Sequence, residues 1–343
     1  MQKKIAVSYV LLSLYSIHSY AQSSVTLFGA LDAGVRFLNH SSAKGGEQIN
    51  MSSNGYHNNN RIDFAGTEDL GGGLYTHFLL ETGFNLGTGA LDNTTSQLFQ
   101  RQAYVGIGGA YGYVDVGRQW TVAHDVLYYY DPFSLTYTPF LPLSAFSDGT
   151  RVSNDIKYTG LFNGLSVVAD NAIAGTPGDF AQGASRSLGL RYSTGPFSVG
   201  GAYGYRNLLA IGTTYTADNY YLAGTSYAIG PVKVFVGYSD EDQKGASTFQ
   251  AVKSQNIWGG ISYDINYQLR LQIANYRTNI NNPNTGGYGK NMSAAGLTYS
   301  LSKRTDLYGE VDYTTFRGVG ITALNPTGQA NQTGFTVGMV QKF

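Results

Sequence analysis

Residues Val25–Phe37 read VTLFGALDAGVRF, and apolar side chains alternate with polar ones along this stretch. The odd positions carry mostly Val, Leu and Phe, whereas the even positions include Thr26, Asp32 and Arg36. A period of two that lasts this long predicts a β-strand with one apolar face. The strand is longer than is usual in a soluble sheet, and it has the length that crosses a bilayer at a tilt.

The same alternation recurs along the rest of the chain. Within residues 269–273, three aliphatic side chains alternate with Arg270 and Gln272. An Arg or Lys that faces lipid at mid-bilayer costs about 2–4 kcal/mol, so we expect the charged side of each strand to face a watery interior. Further alternating runs lie at 232–238, 295–301 and 307–313.

The connections between these runs alternate between short and long. Seven short turns lie near 71–73, 111–112, 162–164, 195–196, 230–231, 264–267 and 302–303. Eight long polar loops lie near 39–59, 86–98, 121–150, 173–184, 207–218, 240–252, 280–291 and 317–331. This pattern predicts an all-β protein, a transmembrane antiparallel β-barrel of about sixteen strands with the short turns on the periplasmic side.

The third long loop, residues 121–150, differs from the other loops. It reads TVAHDVLYYYDPFSLTYTPFLPLSAFSDGT, is rich in aromatic residues and holds three of the eight prolines. Irregular loops of this length are uncommon in compact domains and usually functional. We therefore expect this external loop to fold into the barrel lumen.

The aromatic residues in and before this loop leave two interpretations open. They could stack on sugar rings, or they could pin the loop to the wall and to one another. The residues concerned are Trp120, Tyr128, Tyr129, Tyr130, Phe133, Tyr137 and Phe140.

The composition excludes several classes of function. The 343 residues include no cysteine, so neither a disulfide nor a thiolate metal site is possible. Positive and negative side chains balance at 22 each, which does not favour nucleic acid as a partner. The sequence contains neither a metal-binding histidine motif nor a nucleophile elbow, and we expect no metal, no cofactor and no enzymatic activity.

The first 21 residues have the pattern of a secretory signal peptide. Lys3 and Lys4 precede a largely apolar run, Ile5–Ile17, and Ser19-Tyr20-Ala21 places small residues before a cleavage point. We expect residues 1–21 to be removed and residues 22–343 to form a single transmembrane barrel domain. The protein would then reach the outer membrane through the periplasm.

Several stretches resemble Gram-negative general porins of the type found in Neisseria and Burkholderia relatives. They include Val25–Gly29, the R-x-x-F-x-G-T-E-D-L-G pattern at Arg61–Gly71, RQAYVG at Arg101–Gly106, and VGRQ at Val116–Gln119. The last strand, GFTVGMVQKF, ends in Phe343, which matches the terminal phenylalanine that acts as a membrane-insertion signal in such porins. The resemblance covers the whole mature chain.

The resemblance implies a homotrimer in which the third loop narrows each pore between a basic wall and acidic loop residues. The residues that it assigns to the constriction are Arg61, Arg101 and Arg151 on the wall and Asp131, Asp125 and Asp148 on the loop. Two positions depart from the family pattern, since Ala65 replaces a frequent basic residue and Asp63 adds an acid. Both changes make the wall less positive.

Arg118 is a separate case among the arginines. It shares the apolar face of its strand with Val114 and Val116, where exposure to lipid would be costly. Burial in a subunit contact, or a position at the barrel rim, would remove that cost.

The function that follows is a water-filled channel for passive diffusion of small hydrophilic solutes and ions. The partners expected are these solutes, outer-membrane lipid and further copies of the chain. Two alternatives are a sugar-selective porin that uses the aromatic loop and a surface interaction barrel with a plugged lumen.

Overall fold

A computed structural model describes residues 24–51, 55–136, 150–175, 177–211, 214–244, 252–283 and 286–343, with the backbone alone for 209–211 and 214–215. The expected signal peptide, residues 1–21, lies outside these ranges. The strands are β1 (Ser24–Leu38), β2 (Gln48–Met51), β3 (Arg61–Gly71), β4 (Leu74–Gly83), β5 (Gln102–Gly109), β6 (Gly112–Trp120), β7 (Arg151–Phe162), β8 (Leu165–Ala172), β9 (Ser185–Thr194), β10 (Phe197–Ile211), β11 (Thr214–Ile229), β12 (Val232–Gln243), β13 (Val252–Asp264), β14 (Leu269–Asn282), β15 (Gly286–Ser300), β16 (Thr305–Gly318) and β17 (Asn331–Lys342). Two short helices are α1 (Val122–Leu127) and α2 (Ile321–Leu324).

Sixteen of these strands form one closed antiparallel barrel, which confirms the predicted fold class. Each strand from β3 to β17 pairs with the next, and β1 closes the ring by pairing with β3 on one side and β17 on the other. Over the described residues, the remaining strand, β2, pairs only with the loop-side end of β1. Closure matters because an open edge in lipid would leave backbone groups without hydrogen-bond partners.

The strand alternation separates the two surfaces of the barrel wall as predicted. On β1, Asp32 and Arg36 are buried inside the barrel, while Val35 between them is exposed on the outer surface. On β5, Val105 and Ile107 are likewise exposed outward. Among the described residues, neither helix is long and apolar enough to span a membrane.

Two of the eight predicted long loops are wrong. The segments near 207–218 and 280–291 are mostly strand, since Asn207 pairs with Ala217 and Asn282 pairs with Gly286. A strand that continues beyond the membrane meets water on both faces, so it becomes polar without ending. Polarity in these segments therefore marks the edge of the membrane and not the end of the strand.

The third loop enters the barrel, as predicted. It begins with α1, which Thr121 caps by accepting a hydrogen bond from the His124 backbone N–H. The loop is described over residues 121–136 and at 150. Val122, Val126 and Leu127 of α1 belong to a buried hydrophobic cluster between the loop and the inner wall.

Candidate functional site

A row of inward-facing glycines holds the third loop against the wall. A Cβ atom at Gly224 would lie 2.5 Å from the Tyr130 ring, and one at Gly296 would lie 2.8 Å from the Phe133 ring. We call this row the glycine groove; its members are Gly189, Gly200, Gly224, Gly260 and Gly296 on β9, β10, β11, β13 and β15. The loop side chains can approach the wall this closely only because the groove lacks side chains.

Hydrogen bonds from the wall complete the attachment of the loop. Trp258 Nε1 donates to the Tyr130 carbonyl at 2.9 Å, and Gln272 Nε2 donates to the Pro132 carbonyl at 2.8 Å. Buried loop carbonyls need such partners, because an unpaired one costs about 1–3 kcal/mol. The loop therefore has one defined position in the lumen.

A cavity of about 600 Å³ lies between this loop and the wall formed by β3 to β9. Charged side chains of both signs line it. The basic ones are Arg61, Arg101, Lys157 and Arg191, and the acidic ones are Glu81, Asp115 and Asp125. This is the narrow region in which the predicted wall residues meet the loop.

Arg61 lies at the start of β3 with its side chain partly exposed. Its Nε donates to Asp63 Oδ2 at 3.1 Å, and its Nη1 donates to Asn58 Oδ1 at 2.7 Å. Of the two positions that depart from the family pattern, Asp63 therefore has a clear effect, since its carboxylate neutralises Arg61 directly.

Arg101 is buried and forms an ion pair with Glu81, which also accepts a hydrogen bond from Gln102 Nε2 at 2.8 Å. Arg151 does not line the cavity over the described residues. Its guanidinium carbon lies 3.7 Å from the centre of the Trp120 ring, and that of Arg101 lies 5.6 Å from it. A cation over an indole face is favourable, so Trp120 brings the two arginines together.

Asp125 and Lys157 form the ion pair that joins the loop to the wall. Lys157 Nζ donates to Asp125 Oδ2 at 2.8 Å and to the Trp120 carbonyl at 2.9 Å. Burial tends to raise the pKa of Asp125, but Lys157 and His124 outweigh it and hold that pKa below its ordinary value. The sequence reasoning missed Lys157, although its position on the charged side of β7, two residues after Asp155, could have identified it.

Asp131 is placed differently from the expectation. Its side chain is 3% exposed and accepts hydrogen bonds from Tyr276 Oη at 2.6 Å and from the Leu135 backbone N–H at 2.8 Å. The residue therefore attaches the loop to the wall instead of facing the water path, which corrects the predicted orientation. A carboxylate can be buried here because it accepts several hydrogen bonds at once.

We expect Asp131→Asn to stabilise the protein at neutral pH. Burial raises the pKa of Asp131 to about 6 from 3.8, so the ionised form costs the folded state about 3 kcal/mol once the pH exceeds that value. The difference in melting temperature between Asp131→Asn and wild type should be positive at pH 7.5. It should fall towards zero as the pH decreases to about 4, where the buried carboxyl is protonated.

Asp125→Asn serves as the matched control of opposite sign, because the pKa of Asp125 is lowered. It should destabilise the protein at pH 7.5 and lose this effect as the pH falls. A melting temperature of Asp131→Asn below that of wild type at pH 7.5 would contradict the assignment of Asp131 as a buried carboxyl group with a raised pKa.

The aromatic residues of the loop fall into two groups. Tyr130 and Phe133 are buried in the glycine groove, whereas Tyr128 and Tyr129 are 48% and 39% exposed and face the lumen. Three residues named from the sequence, Tyr137, Phe140 and Asp148, lie outside the described ranges. Pinning to the wall thus accounts for two rings, and the two others face the lumen, where a solute can reach them.

Arg118 contacts Gln100 and Ser153, which lie next to it in the barrel wall. Arg118 Nε donates to the Gln100 carbonyl at 2.5 Å and its Nη1 donates to Ser153 Oγ at 2.7 Å, so local groups satisfy its guanidinium. Its predicted subunit contact stays a prediction.

Phe343 exchanges backbone hydrogen bonds of 3.2 Å with Gly29 at the seam between β17 and β1, and its role in membrane insertion likewise stays a prediction.

A second segment, residues 55–60 of the first external loop, also turns into the barrel. Asp32 Oδ2 accepts hydrogen bonds from the backbone N–H groups of His57 at 2.7 Å and Asn58 at 2.6 Å. Asp32 Oδ1 accepts a further bond from Tyr308 Oη at 2.6 Å. Because Asn58 in turn holds Arg61, Asp32 positions the wall arginine through this segment.

A closed sixteen-strand barrel with an inserted loop and a charged, water-accessible neck defines a membrane channel. The chain matches the family model of the Gram-negative porins over residues 6–319, and it belongs to that family. It is an outer-membrane porin that forms a water-filled channel for passive diffusion of small hydrophilic solutes and ions.

Relatives resemble this chain in sequence, and solved structures resemble it in fold. The chain is 29% identical to outer membrane porin protein 32 from Delftia acidovorans over 94% of this chain and 95% of that one. An anion-selective porin from Comamonas acidovorans has a similar fold, with a TM-score of 0.77 and 24% identity over 94% of this chain and 100% of that one. The trimer form of OmpT from Vibrio cholerae has a TM-score of 0.69 and 16% identity over 94% and 99% of the two chains.

Proposed function

We propose that this porin is a non-enzymatic general channel whose neck discriminates only weakly between anions and cations. The observation that supports it is that three of the four basic side chains lining the 600 Å³ cavity pair with carboxylates. Arg61 pairs with Asp63, Arg101 with Glu81, and Lys157 with Asp125. Paired charges of opposite sign cancel at the distance of a passing ion, so these three pairs leave little net field at the neck.

The proposed constriction comprises Arg61, Arg101 and Asp125, together with Lys157. Arg151 lies against the Trp120 ring and contributes to the constriction through that ring. Asp131 contributes by fixing the loop to the wall. One solved porin of similar fold is described as anion-selective. In this chain, Asp63 and Glu81 oppose such a preference at the neck.

We also propose assembly as a homotrimer embedded in outer-membrane lipid. A trimer form of a protein with a similar fold supports this proposal. The exposed apolar side chains on the outer surface, such as Val105 and Ile107, suit either lipid or a neighbouring subunit.

Reversal potentials across a planar bilayer under a KCl gradient test the neck assignment. Arg61→Gln combined with Arg101→Gln should shift the reversal potential towards cation preference, because Asp63 and Glu81 lose their counter-charges. Asp63→Asn should shift it towards anion preference, because Arg61 is then unopposed.

Arg277→Gln is the matched control, since Arg277 is exposed on the outer surface of β14, next to the inward-facing Tyr276. It removes one positive charge outside the pore and should leave the reversal potential unchanged. If neither the double arginine variant nor Asp63→Asn shifts the reversal potential, the assignment of Arg61 and Arg101 to the pore constriction is wrong.

A further inference from the structure

Two cations on the periplasmic side of the third loop, Arg191 and Lys233, do not belong to the three ion pairs of the neck. Tyr128 and Tyr129 line both the 600 Å³ cavity and a second cavity of about 340 Å³. Lys233 lines the second cavity, and Arg191 lines the first. Both cations lie within four residues of short turns, near the ends of β9 and β12, so they lie on the periplasmic side of the neck.

These two cations contact aromatic rings instead of carboxylates. The Arg191 guanidinium carbon lies 3.9 Å from the centre of the Tyr129 ring, and Lys233 Nζ lies 5.0 Å from the centre of the Phe235 ring. Over the described residues, neither forms an ion pair, whereas Arg270 nearby is paired with Asp264 at 2.6 Å. The positive charge of Arg191 and Lys233 is therefore available to a solute.

Small hydroxyl side chains lie beside Arg191. Arg191 Nη1 donates to Ser193 Oγ at 2.9 Å, and Ser193 Oγ lies 2.9 Å from Ser198 Oγ. The adjacent wall position is Gly200, a member of the glycine groove. Short side chains keep this side of the lumen open, and their hydroxyl groups can hydrogen-bond a solute.

The exposed rings complete the chemistry of the site. Tyr128 and Tyr129 pack edge to face, with their ring centres 5.4 Å apart. A solute between them can therefore meet the face of one ring and the edge of the other. An aromatic solute stacks favourably on such rings, and a carboxylate pairs well with guanidinium and ammonium groups. A neutral sugar would use the rings but would leave both charges without a partner.

We propose that Arg191, Lys233, Tyr128 and Tyr129 form a binding site for small aromatic carboxylates on the periplasmic side of the neck. The proposal rests on the channel function and adds a solute class to it. The carboxylate contacts Arg191 and Lys233, and the ring of the solute lies against the two tyrosines. Binding is weak and transient, as passage through a channel requires.

Benzoate is the probe, with single-channel current measured in planar bilayers that contain the full-length mature porin. Benzoate on the periplasmic side should reduce the KCl current in a saturable manner, and acetate at equal concentration should not. Arg191→Gln combined with Lys233→Gln should weaken the apparent affinity by about tenfold or more, equivalent to about 1.4 kcal/mol. Tyr129→Leu should also weaken benzoate binding, because it removes one of the two rings that contact the solute.

Arg304→Gln is the control, because it removes a positive charge from the short turn between β15 and β16, and Arg304 lines neither of the two cavities. This variant should keep the benzoate effect. Normal KCl current without saturable benzoate block overturns the site but leaves the channel function standing. Block that persists in the Arg191→Gln/Lys233→Gln variant, or block by glucose as strong as by benzoate, also overturns it. Absence of any KCl current would instead contradict the channel function.

Discussion

Gly224→Ala should make the open-channel current several-fold noisier and add subconductance levels. A Cβ at this position would lie 2.5 Å from Cγ and 2.6 Å from Cβ of Tyr130, so the Tyr130 side chain has to leave the glycine groove. Overpacking of this kind typically costs about 1–3 kcal/mol. Because Tyr130 also holds the loop through its carbonyl bond with Trp258, its displacement gives the loop more than one position in the lumen. Single-channel recording in KCl measures the effect directly.

Gly259→Ala is the matched control for this variant. A Cβ at Gly259 would meet the Phe235 carbonyl oxygen at 3.4 Å, which is an ordinary contact. The same chemical change on β13 should therefore leave the current as quiet as in wild type. If Gly224→Ala is equally quiet, the groove does not determine the position of the loop.

Asp32→Ala should destabilise the folded barrel by about 2–5 kcal/mol, since it removes the acceptor for three donors. Two of these donors are the backbone N–H groups of His57 and Asn58, and the third is Tyr308 Oη. Loss of this carboxylate frees residues 55–60, so that Asn58 no longer holds Arg61 in place. The free energy of unfolding in urea, measured on protein folded into lipid vesicles, gives the size of the effect.

Asp264→Ala provides the comparison for Asp32→Ala. Asp264 also pairs with a donor, Arg270, but both side chains are about half exposed. Exposed ion pairs contribute about 0–1 kcal/mol, so this variant should unfold at nearly the wild-type urea concentration. Equal stability of the two variants would show that Asp32 does not hold the first loop.

The side-chain alternation along the strands and the alternation of short and long connections were together sufficient to predict the barrel. Each strand buries or exposes its side chains with a period of two, so a local stretch such as Val25–Phe37 carries the information about its own two faces. The insertion of the third loop was also predictable, because its length and composition depart from every other connection. The two loops predicted wrongly, near 207–218 and 280–291, failed because polar composition is the same for a loop and for a strand outside the membrane.

The partners of the charged residues could not be predicted in the same way. Lys157 and Asp125 lie 32 residues apart, and Tyr276 and Asp131 lie 145 apart, so nothing local connects them. Whether a loop carboxylate faces water or the wall depends on how the loop is placed along the glycine groove. That groove is assembled from five separate strands, none of which reveals it alone.

The sequence by itself determined the strand period, the barrel fold, its location in a membrane and the insertion of the third loop, because each of these follows from short-range periodicity and composition. Only the tertiary structure decided that Asp131 attaches the loop, that Lys157 joins the neck, and that Arg191 and Lys233 remain unpaired over the described residues. The physical reason is that the net charge seen by a solute depends on which opposite charges lie within a few ångströms. Closure of the barrel sets those distances between residues that are far apart in the chain.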